Sequence, residues 1–214
     1  MTELYKKILV DGLAFYHLSL TDDQVENLLV YHQLMIKWNK AYNLTAIRDP
    51  EQMIRRHLLD SLSIAGHLRG QRFIDVGTGA GLPGIVMAII FPDREWHLLD
   101  SNGKKTRFLF QVKTELKLAN VTVHHCRVEE HHPKQLYDGV LSRAFATLLD
   151  MINGSRQLLA DGGSFYAMKG LYPTEELSAL PKTYMVDACY PLSVPEEEGQ
   201  RHLVVMSQCP IDKN

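Results

Sequence analysis

From residue 71 onward, short apolar segments alternate with helical segments, and this alternation is the strongest constraint on the fold. Strands are predicted at 72–76, 96–100, 121–125, 139–142 and 164–169, and helices at 83–91, 104–116 and 148–159. Such alternation predicts βαβ units, which build a mostly parallel sheet with helices on both faces. Two further extended runs, at 182–190 and 201–207, have no clear helix between them and are expected to pair antiparallel at a sheet edge.

The first seventy residues predict helices instead of strands. Thr21 and Gln24 have the spacing of a capping box, and apolar residues then recur every three or four positions. Pro50 suits the first turn of another helix, which is expected to run to about Gly66. We therefore expect an N-terminal helical cap over residues 1–70 and an α/β domain over residues 71–214, folded as one structural unit.

Composition narrows the class of protein. The 214 residues include 45% hydrophobic and 22% charged residues, which is typical of a globular chain and excludes a disordered one. The three scattered cysteines form neither a disulfide framework nor a zinc-ligand spacing. The longest apolar run, 85–91, is far shorter than the ~20 residues of a membrane span. We expect a cytoplasmic protein, monomeric, with no membrane partner and no metal.

The stretch 73–84 (FIDVGTGAGLPG) carries the strongest signal for a ligand site, because it predicts a strand that enters a glycine-rich turn. In parallel sheets, ligands bind beyond the carboxyl ends of the strands, where glycines let the backbone approach a ligand closely. Gly77, Gly79 and Gly81 form GxGxG, with Asp75 before them, instead of the GxGxxG of dinucleotide-binding enzymes. The spacing resembles the first motif of S-adenosylmethionine-dependent methyltransferases; a nicotinamide site and a turn without a ligand are the alternatives.

Charged residues follow the other predicted strands. Asp100 ends the second strand, where a carboxylate can accept hydrogen bonds from ribose hydroxyls; capping the next helix is its alternative role. Val128 and Glu129 follow the third strand, where Glu129 can accept a hydrogen bond from an exocyclic amine or remain a surface charge. Arg143 follows the fourth strand, and because an unpaired buried guanidinium is costly, it is expected near the cofactor or the acceptor.

Several motifs together resemble one family. The glycine-rich block, LLDS at 98–101, RVEE at 127–130, SRAF at 142–145 and AMKG at 167–170 follow one another as in the bacterial glucose-inhibited division protein B family, and so does the upstream WNKAYNLTAIRDP…RHLLDSL. The resemblance covers nearly the whole chain. It implies a Rossmann-like S-adenosylmethionine-dependent methyltransferase fold, with a mostly parallel seven-stranded sheet and an antiparallel edge strand. It also implies methylation of guanine N7 in small-subunit (16S) ribosomal RNA. The cofactor contacts that it implies are Gly77, Leu82, Val128, Glu129 and Arg143.

This activity needs no general base, because guanine N7 carries a free lone pair. The expected mechanism is in-line transfer to N7, in which orientation of the reactants lowers the barrier. Arg143 would contact the cofactor, or would stack on the guanine or bond to its O6, since a bond to N7 would block the nucleophile. Two alternative functions remain: a nicotinamide-dependent oxidoreductase, and a non-catalytic cofactor-binding factor in ribosome assembly.

RNA contacts must come from basic side chains that folding brings together, because the net charge of −2 gives no overall attraction for phosphate. The candidates are Arg55, Arg56, Lys104, Lys105, Arg107, Arg127 and Lys169. If these residues bind phosphates, the logarithm of the binding constant falls linearly with the logarithm of the salt concentration. Titration of a small-subunit RNA fragment at several salt concentrations measures this slope. A flat response would indicate a small-molecule or protein substrate.

Overall fold

A central seven-stranded sheet organises the protein, whose residues 2–210 are described by a computed structural model. The strands are β1 (Arg72–Val76), β2 (Glu95–Asp100), β3 (Val121–His125), β4 (Tyr137–Ser142), β5 (Leu159–Lys169), β6 (Tyr184–Leu192) and β7 (Arg201–Gln208). Their order across the sheet is β3-β2-β1-β4-β5-β7-β6, and β1 to β5 are parallel. The order reverses between β1 and β4, and this switch point is where such sheets form a ligand crevice.

The C-terminal strands pair as the sequence predicts. Strand β7 runs antiparallel to both of its neighbours, β5 and the edge strand β6. The seven-stranded, mostly parallel α/β fold with antiparallel pairing at one edge is therefore confirmed. Strand β7 itself lies one position inside the edge. Strand β5 begins at Leu159 instead of 164, and the helix before it is correspondingly shorter than the predicted 148–159. Gly162 and Gly163 near the start of β5 weaken the strand pattern there, which explains the difference.

Helices cover both faces of the sheet. They are α1 (Thr2–Phe15), α2 (Asp22–Tyr42), α3 (Pro50–Met53), α4 (Asp60–Leu62), α5 (Gly84–Ile90), α6 (Gly103–Glu115), α7 (Leu148–Ser155) and α8 (Thr174–Ser178). Helix α2 begins at the predicted capping box, where the Gln24 N–H donates to the Thr21 hydroxyl and the Thr21 N–H donates to the Gln24 side chain. The helix predicted from Pro50 contains a π-helical stretch, Ile54–Leu59, between α3 and α4. Within the described residues, no helix is both long and apolar enough to cross a membrane.

The N-terminal helices share one hydrophobic core with the sheet. Leu9 of α1 and Leu28 of α2 are fully buried in the same cluster as Ile85 of α5 and Phe108 of α6. Beside this cluster, the buried Tyr31 hydroxyl donates a 2.7 Å hydrogen bond to the Ala80 carbonyl in the glycine-rich turn. Helix α2 therefore fixes the position of the turn directly.

A cluster of histidines lies at strands β2 and β3 of the sheet. His97 Nδ1 is 2.7 Å from His124 Nε2 and 3.1 Å from the Tyr137 hydroxyl, and His97 Nε2 is 2.7 Å from the Glu95 carboxylate. Burial, together with smaller effects of the neighbouring His131 and His97, lowers the pKa of His124 to about 4. Across residues 2–210, no group of three or more His, Cys, Asp or Glu side chains is arranged to hold a metal ion.

Protonation of this cluster should destabilise the fold. The folded pKa of His124 is about 4, whereas an unfolded histidine titrates near pH ~6.5. The folded state therefore binds fewer protons, so stability is complete above pH ~6.5 and is lost as the pH falls. Because the ring is partly exposed, we expect His124→Gln to reduce the loss by only about 1 kcal/mol. Urea unfolding at about pH 5 and pH 7.5 measures this difference. Identical pH dependence in the two proteins would contradict it.

Candidate functional site

The glycine-rich turn lies at the switch point and is tied to the end of β2. The Gly77 N–H donates to the Leu99 carbonyl (2.8 Å), and the Gly79 N–H donates to Asp100 Oδ2 (2.9 Å). Gly79 has φ +63°, and a Cβ added there would meet no atom closer than Lys105 Nζ at 3.9 Å. The backbone at Gly79 is therefore open to a ligand, whereas a side chain there would enter the open space.

Asp75 lies beneath this turn and is fully buried. Its Oδ2 accepts hydrogen bonds from the Thr78 hydroxyl (2.7 Å) and the Gly84 N–H (2.8 Å), while Oδ1 has no hydrogen-bond partner. Burial raises the pKa of this carboxyl to about 6, although both hydrogen bonds favour the ionised form. The structure thus gives Asp75 a supporting position below the turn, with one acceptor oxygen unused. A direct cofactor contact from Asp75 stays a prediction.

A cavity of about 210 Å³ lies at the carboxyl ends of the strands on either side of the switch point. Gly77, Asp100, Val128 and Glu129, all predicted from the sequence, line it together with Phe145. We call it the Glu129 cavity. It combines apolar walls with two carboxylates. One of them, Asp100, is partly engaged already, because its oxygens accept hydrogen bonds from the backbone of the turn and of Asn102.

A second cavity of about 190 Å³ adjoins the first, because Gly77 and Ala144 line both. Gly79, Leu82 and Arg143 also line this second space, which we call the Gly79 cavity. The two cavities together form an elongated groove over the turn. One end of the groove carries carboxylates, and the other carries open backbone and a guanidinium group.

Thr45 and His57 also line the Gly79 cavity. The sequence assigns neither of them a role. His57 Nε2 lies 2.8 Å from the Thr45 hydroxyl, and His57 Nδ1 lies 3.0 Å from the Arg56 carbonyl. A carbonyl can only accept, so Nδ1 carries the proton and Nε2 accepts from Thr45. Burial, together with the smaller effect of the Arg143 charge, lowers the pKa of His57 to about 4. The ring is therefore neutral at neutral pH.

Arg143 lies beyond the end of β4 and is partly buried. Its Nη1 is 3.1 Å from Asp60 Oδ2, and the Nε of Arg201 is 3.0 Å from Asp60 Oδ1. Burial raises the pKa of Asp60, and the charges of the two arginines oppose that rise. Arg143 is thus the cation expected at the end of β4, and it forms an ion pair with Asp60. Asp60 lies in the quoted motif RHLLDSL, yet only the tertiary structure shows that its partner is Arg143.

Four of the predicted RNA-binding residues form ion pairs within the protein. The pairs join Arg55 to Glu196 (2.6 Å), Arg56 to Glu197 (2.7 Å), Lys169 to Glu176 (2.9 Å) and Lys105 to Asp100 (3.8 Å). The other three, Lys104, Arg107 and Arg127, are exposed and form no ion pair with residues 2–210. Arg127 also lines the Glu129 cavity.

Sequence comparison assigns the family. A sequence profile described as "rRNA small subunit methyltransferase G" matches residues 24–204. A protein of Ectopseudomonas mendocina named "Ribosomal RNA small subunit methyltransferase G" is 51% identical over 208 residues, which cover 96% of this chain and 97% of that protein. One of the same name from Saccharophagus degradans is 55% identical over 203 residues, covering 95% and 91%. This chain belongs to the rRNA small subunit methyltransferase G family. The resemblance found in the motifs is confirmed.

Comparison with solved structures supports the same fold. TrmK from M. capricolum, solved in complex with S-adenosyl-homocysteine, superposes with a TM-score of 0.55 at 13% identity, covering 69% of this chain and 67% of that chain. At this identity the likeness concerns the fold alone, and it confirms the Rossmann-like methyltransferase fold. Family membership gives no support to the two alternatives, a nicotinamide-dependent oxidoreductase and a non-catalytic assembly factor.

Gly79→Ala should weaken the binding of S-adenosylhomocysteine at least tenfold, because the added methyl group would enter the groove. Gly162→Ala is the matched control. Gly162 has a similar φ of +75° and likewise open space around it, but it lies near the start of β5, away from the groove. Both variants should lose about 1 kcal/mol of stability to left-handed strain. Calorimetric titration and thermal unfolding measure the two effects. Equal affinities in the two variants would show that the turn does not contact the ligand.

Proposed function

We propose that this protein transfers a methyl group from S-adenosylmethionine to N7 of a guanine in small-subunit ribosomal RNA. The observation that carries the proposal is the groove over the open glycine-rich turn, at the switch point of a methyltransferase fold and with Arg143 at one end. Family membership supports the choice of substrate, since the curated relatives are named for methylation of small-subunit ribosomal RNA.

The polar groups of the groove fit this cofactor. Carboxylates at the Glu129 end suit an adenine amine and ribose hydroxyls, and the open backbone at Gly79 suits close approach of a chain. When bound, S-adenosylmethionine supplies a methyl group activated by a positively charged sulfur. The residues proposed to hold it are Gly77, Gly79, Gly81, Leu82, Asp75, Asp100, Val128, Glu129 and Arg143.

Two of these residues, Gly81 and Asp75, also support the turn itself. A Cβ at Gly81 would overlap the side chains of Ile85 and Leu109, so this glycine allows α5 and α6 to pack against the turn. Asp75 holds the turn from below through Thr78 and Gly84. Their substitution would therefore disturb the groove indirectly.

The chain's own residues orient the acceptor instead of removing a proton from it. Guanine N7 already offers a lone pair, so no base is needed. The neutral His57 borders the groove, but the Thr45 hydroxyl already occupies its unprotonated nitrogen. The proposed contribution of Arg143 is to position the reactants, by a contact with the cofactor or with the guanine.

For RNA we propose that the exposed Lys104, Arg107 and Arg127 make the first phosphate contacts. Arg55, Arg56 and Lys169 would have to exchange glutamate partners for phosphate. The proposed substrate is small-subunit ribosomal RNA or the small subunit itself. In this proposal the cap of residues 1–70 forms one wall of the groove, and the α/β domain of residues 71–214 forms the rest.

The direct test supplies methyl-labelled S-adenosylmethionine and small ribosomal subunits that lack the modification. N7-methylguanosine, identified by mass spectrometry, is the expected product. Absence of label in the RNA, or label at another atom, would overturn the proposal. Reduced nicotinamide cofactor is the negative control, and its fluorescence should not change on addition of the protein.

Arg143→Ala should lower the rate of methyl transfer by about 100-fold, a typical loss when one positioned charged donor is removed. The fold should remain intact, because Asp60 keeps its second partner, Arg201. The matched control is Arg156→Ala, which removes an exposed arginine that lines none of the cavities described above. Labelled-methyl incorporation gives the rates, and thermal unfolding checks the fold. Near-normal turnover by Arg143→Ala would exclude the positioning role.

A further inference from the structure

A third cavity, of about 360 Å³, lies beyond Arg143 at the carboxyl ends of β4 and β5. Its size is within the range of ~300–1,000 Å³ that ligand pockets occupy. Arg143 lines both this space and the Gly79 cavity, so one guanidinium group separates the two. The charged residues of the third cavity, besides Arg143, are Asp60, Lys169, Glu198 and Arg201, and Met168 and Leu192 supply apolar surface. We call it the Asp60 cavity.

Asp60 and Glu198 are the carboxylates of this cavity, and Asp60 is the one that two arginines hold in a fixed orientation. Arg143 Nη1 donates to its Oδ2 and Arg201 Nε donates to its Oδ1, at 3.1 and 3.0 Å. The side chain is 14% exposed, so it is not sealed from the cavity that it lines. An ionised carboxylate offers about four acceptor sites, and the two arginines use two of them. Each oxygen can therefore accept one more hydrogen bond.

Along the Arg143–Asp60 ion pair, the hydrogen-bonding groups follow one another as donor, acceptor, acceptor. They are an N–H group of Arg143, then Oδ2 of Asp60, then Oδ1 of Asp60. The Watson–Crick edge of guanine presents the complementary order: the O6 acceptor, the N1–H donor and the N2–H donor. Cytosine reads guanine with the same donor–acceptor–acceptor sequence. We propose that Asp60 is the residue that selects guanine, by accepting hydrogen bonds from N1–H and N2–H in the Asp60 cavity while Arg143 donates to O6.

This arrangement also determines which atom faces the groove. In guanine, N7 lies next to O6 on the side away from N1. In this proposal, O6 lies on Arg143 and N7 lies on the side of the Gly79 cavity, which Arg143 also lines. Adenine would place an amino donor against the Arg143 donor and a bare N1 against a carboxylate oxygen, so both contacts would be repulsive.

The inference rests on the proposed function, and inosine tests it separately. Inosine keeps O6, N1–H and N7 of guanosine and lacks only the N2 amino group. Mass spectrometry first locates the position that the wild-type enzyme methylates. Small subunits are then reconstituted with guanosine or inosine at that position. The wild-type enzyme should prefer guanosine by about 10- to 100-fold in kcat/KM, the usual weight of one hydrogen bond to a charged acceptor. Asp60→Asn should bring this ratio close to one, because an amide replaces one acceptor by a donor.

Glu197→Gln is the matched control. Glu197 is the other carboxylate next to Arg201, at 3.7 Å, but it does not line the Asp60 cavity. This variant should keep the wild-type preference for guanosine. A purely structural role of Asp60 would lower both rates in Asp60→Asn and leave their ratio unchanged.

The outcomes separate the two proposals. Equal rates of the wild-type enzyme on guanosine and inosine, or an unchanged ratio in Asp60→Asn, would overturn the role of Asp60 while methyl transfer to guanosine stands. No transfer to guanosine by the wild-type enzyme would overturn the proposed function itself. Thermal unfolding and titration with S-adenosylhomocysteine check that Asp60→Asn is folded. If Asp60→Asn is not folded, Asp60→Glu is tested in its place. This substitution keeps the charge but displaces both carboxylate oxygens. It should lower the guanosine rate more than the inosine rate.

Discussion

The buried carboxylate of Asp75 holds the glycine-rich turn in place, and the groove above depends on that support. One oxygen accepts from both the Thr78 hydroxyl and the Gly84 N–H, and so joins the two ends of the turn. A carboxylate buried this deeply is costly, which is why its pKa rises to about 6. The two hydrogen bonds offset part of that cost, because both favour the ionised form.

The same turn is held from two further directions. Asp100, at the end of β2, accepts from the Gly79 N–H, and Tyr31 of α2 donates to the Ala80 carbonyl. The sheet and the helical cap therefore converge on a segment of only a few residues. A groove held on three sides can position reactants without moving, which suits a reaction that needs orientation and no proton transfer.

The charged residues around Arg143 form a connected set of ion pairs, which the amino-acid composition does not reveal. Arg143 and Arg201 share Asp60, and Arg201 and Arg56 share Glu197. The side chain of Glu197 is almost fully buried, although it lies in the acidic run 196–198. A net charge of −2 is therefore compatible with a local cluster of cations around the cavities.

The sequence by itself determined the α/β fold, nearly every strand, the capping box of α2 and the residues around the Glu129 cavity. These features are local: a strand, its turn and the first residue after it are adjacent in the chain, so spacing reveals them. Tertiary structure alone decided the pairing of Asp60 with Arg143 and Arg201, the wall made by Thr45 and His57, and the glutamate partners of Arg55 and Arg56. Those contacts join segments far apart in the chain, and their geometry depends on how the helical cap packs against the sheet, which no local pattern records.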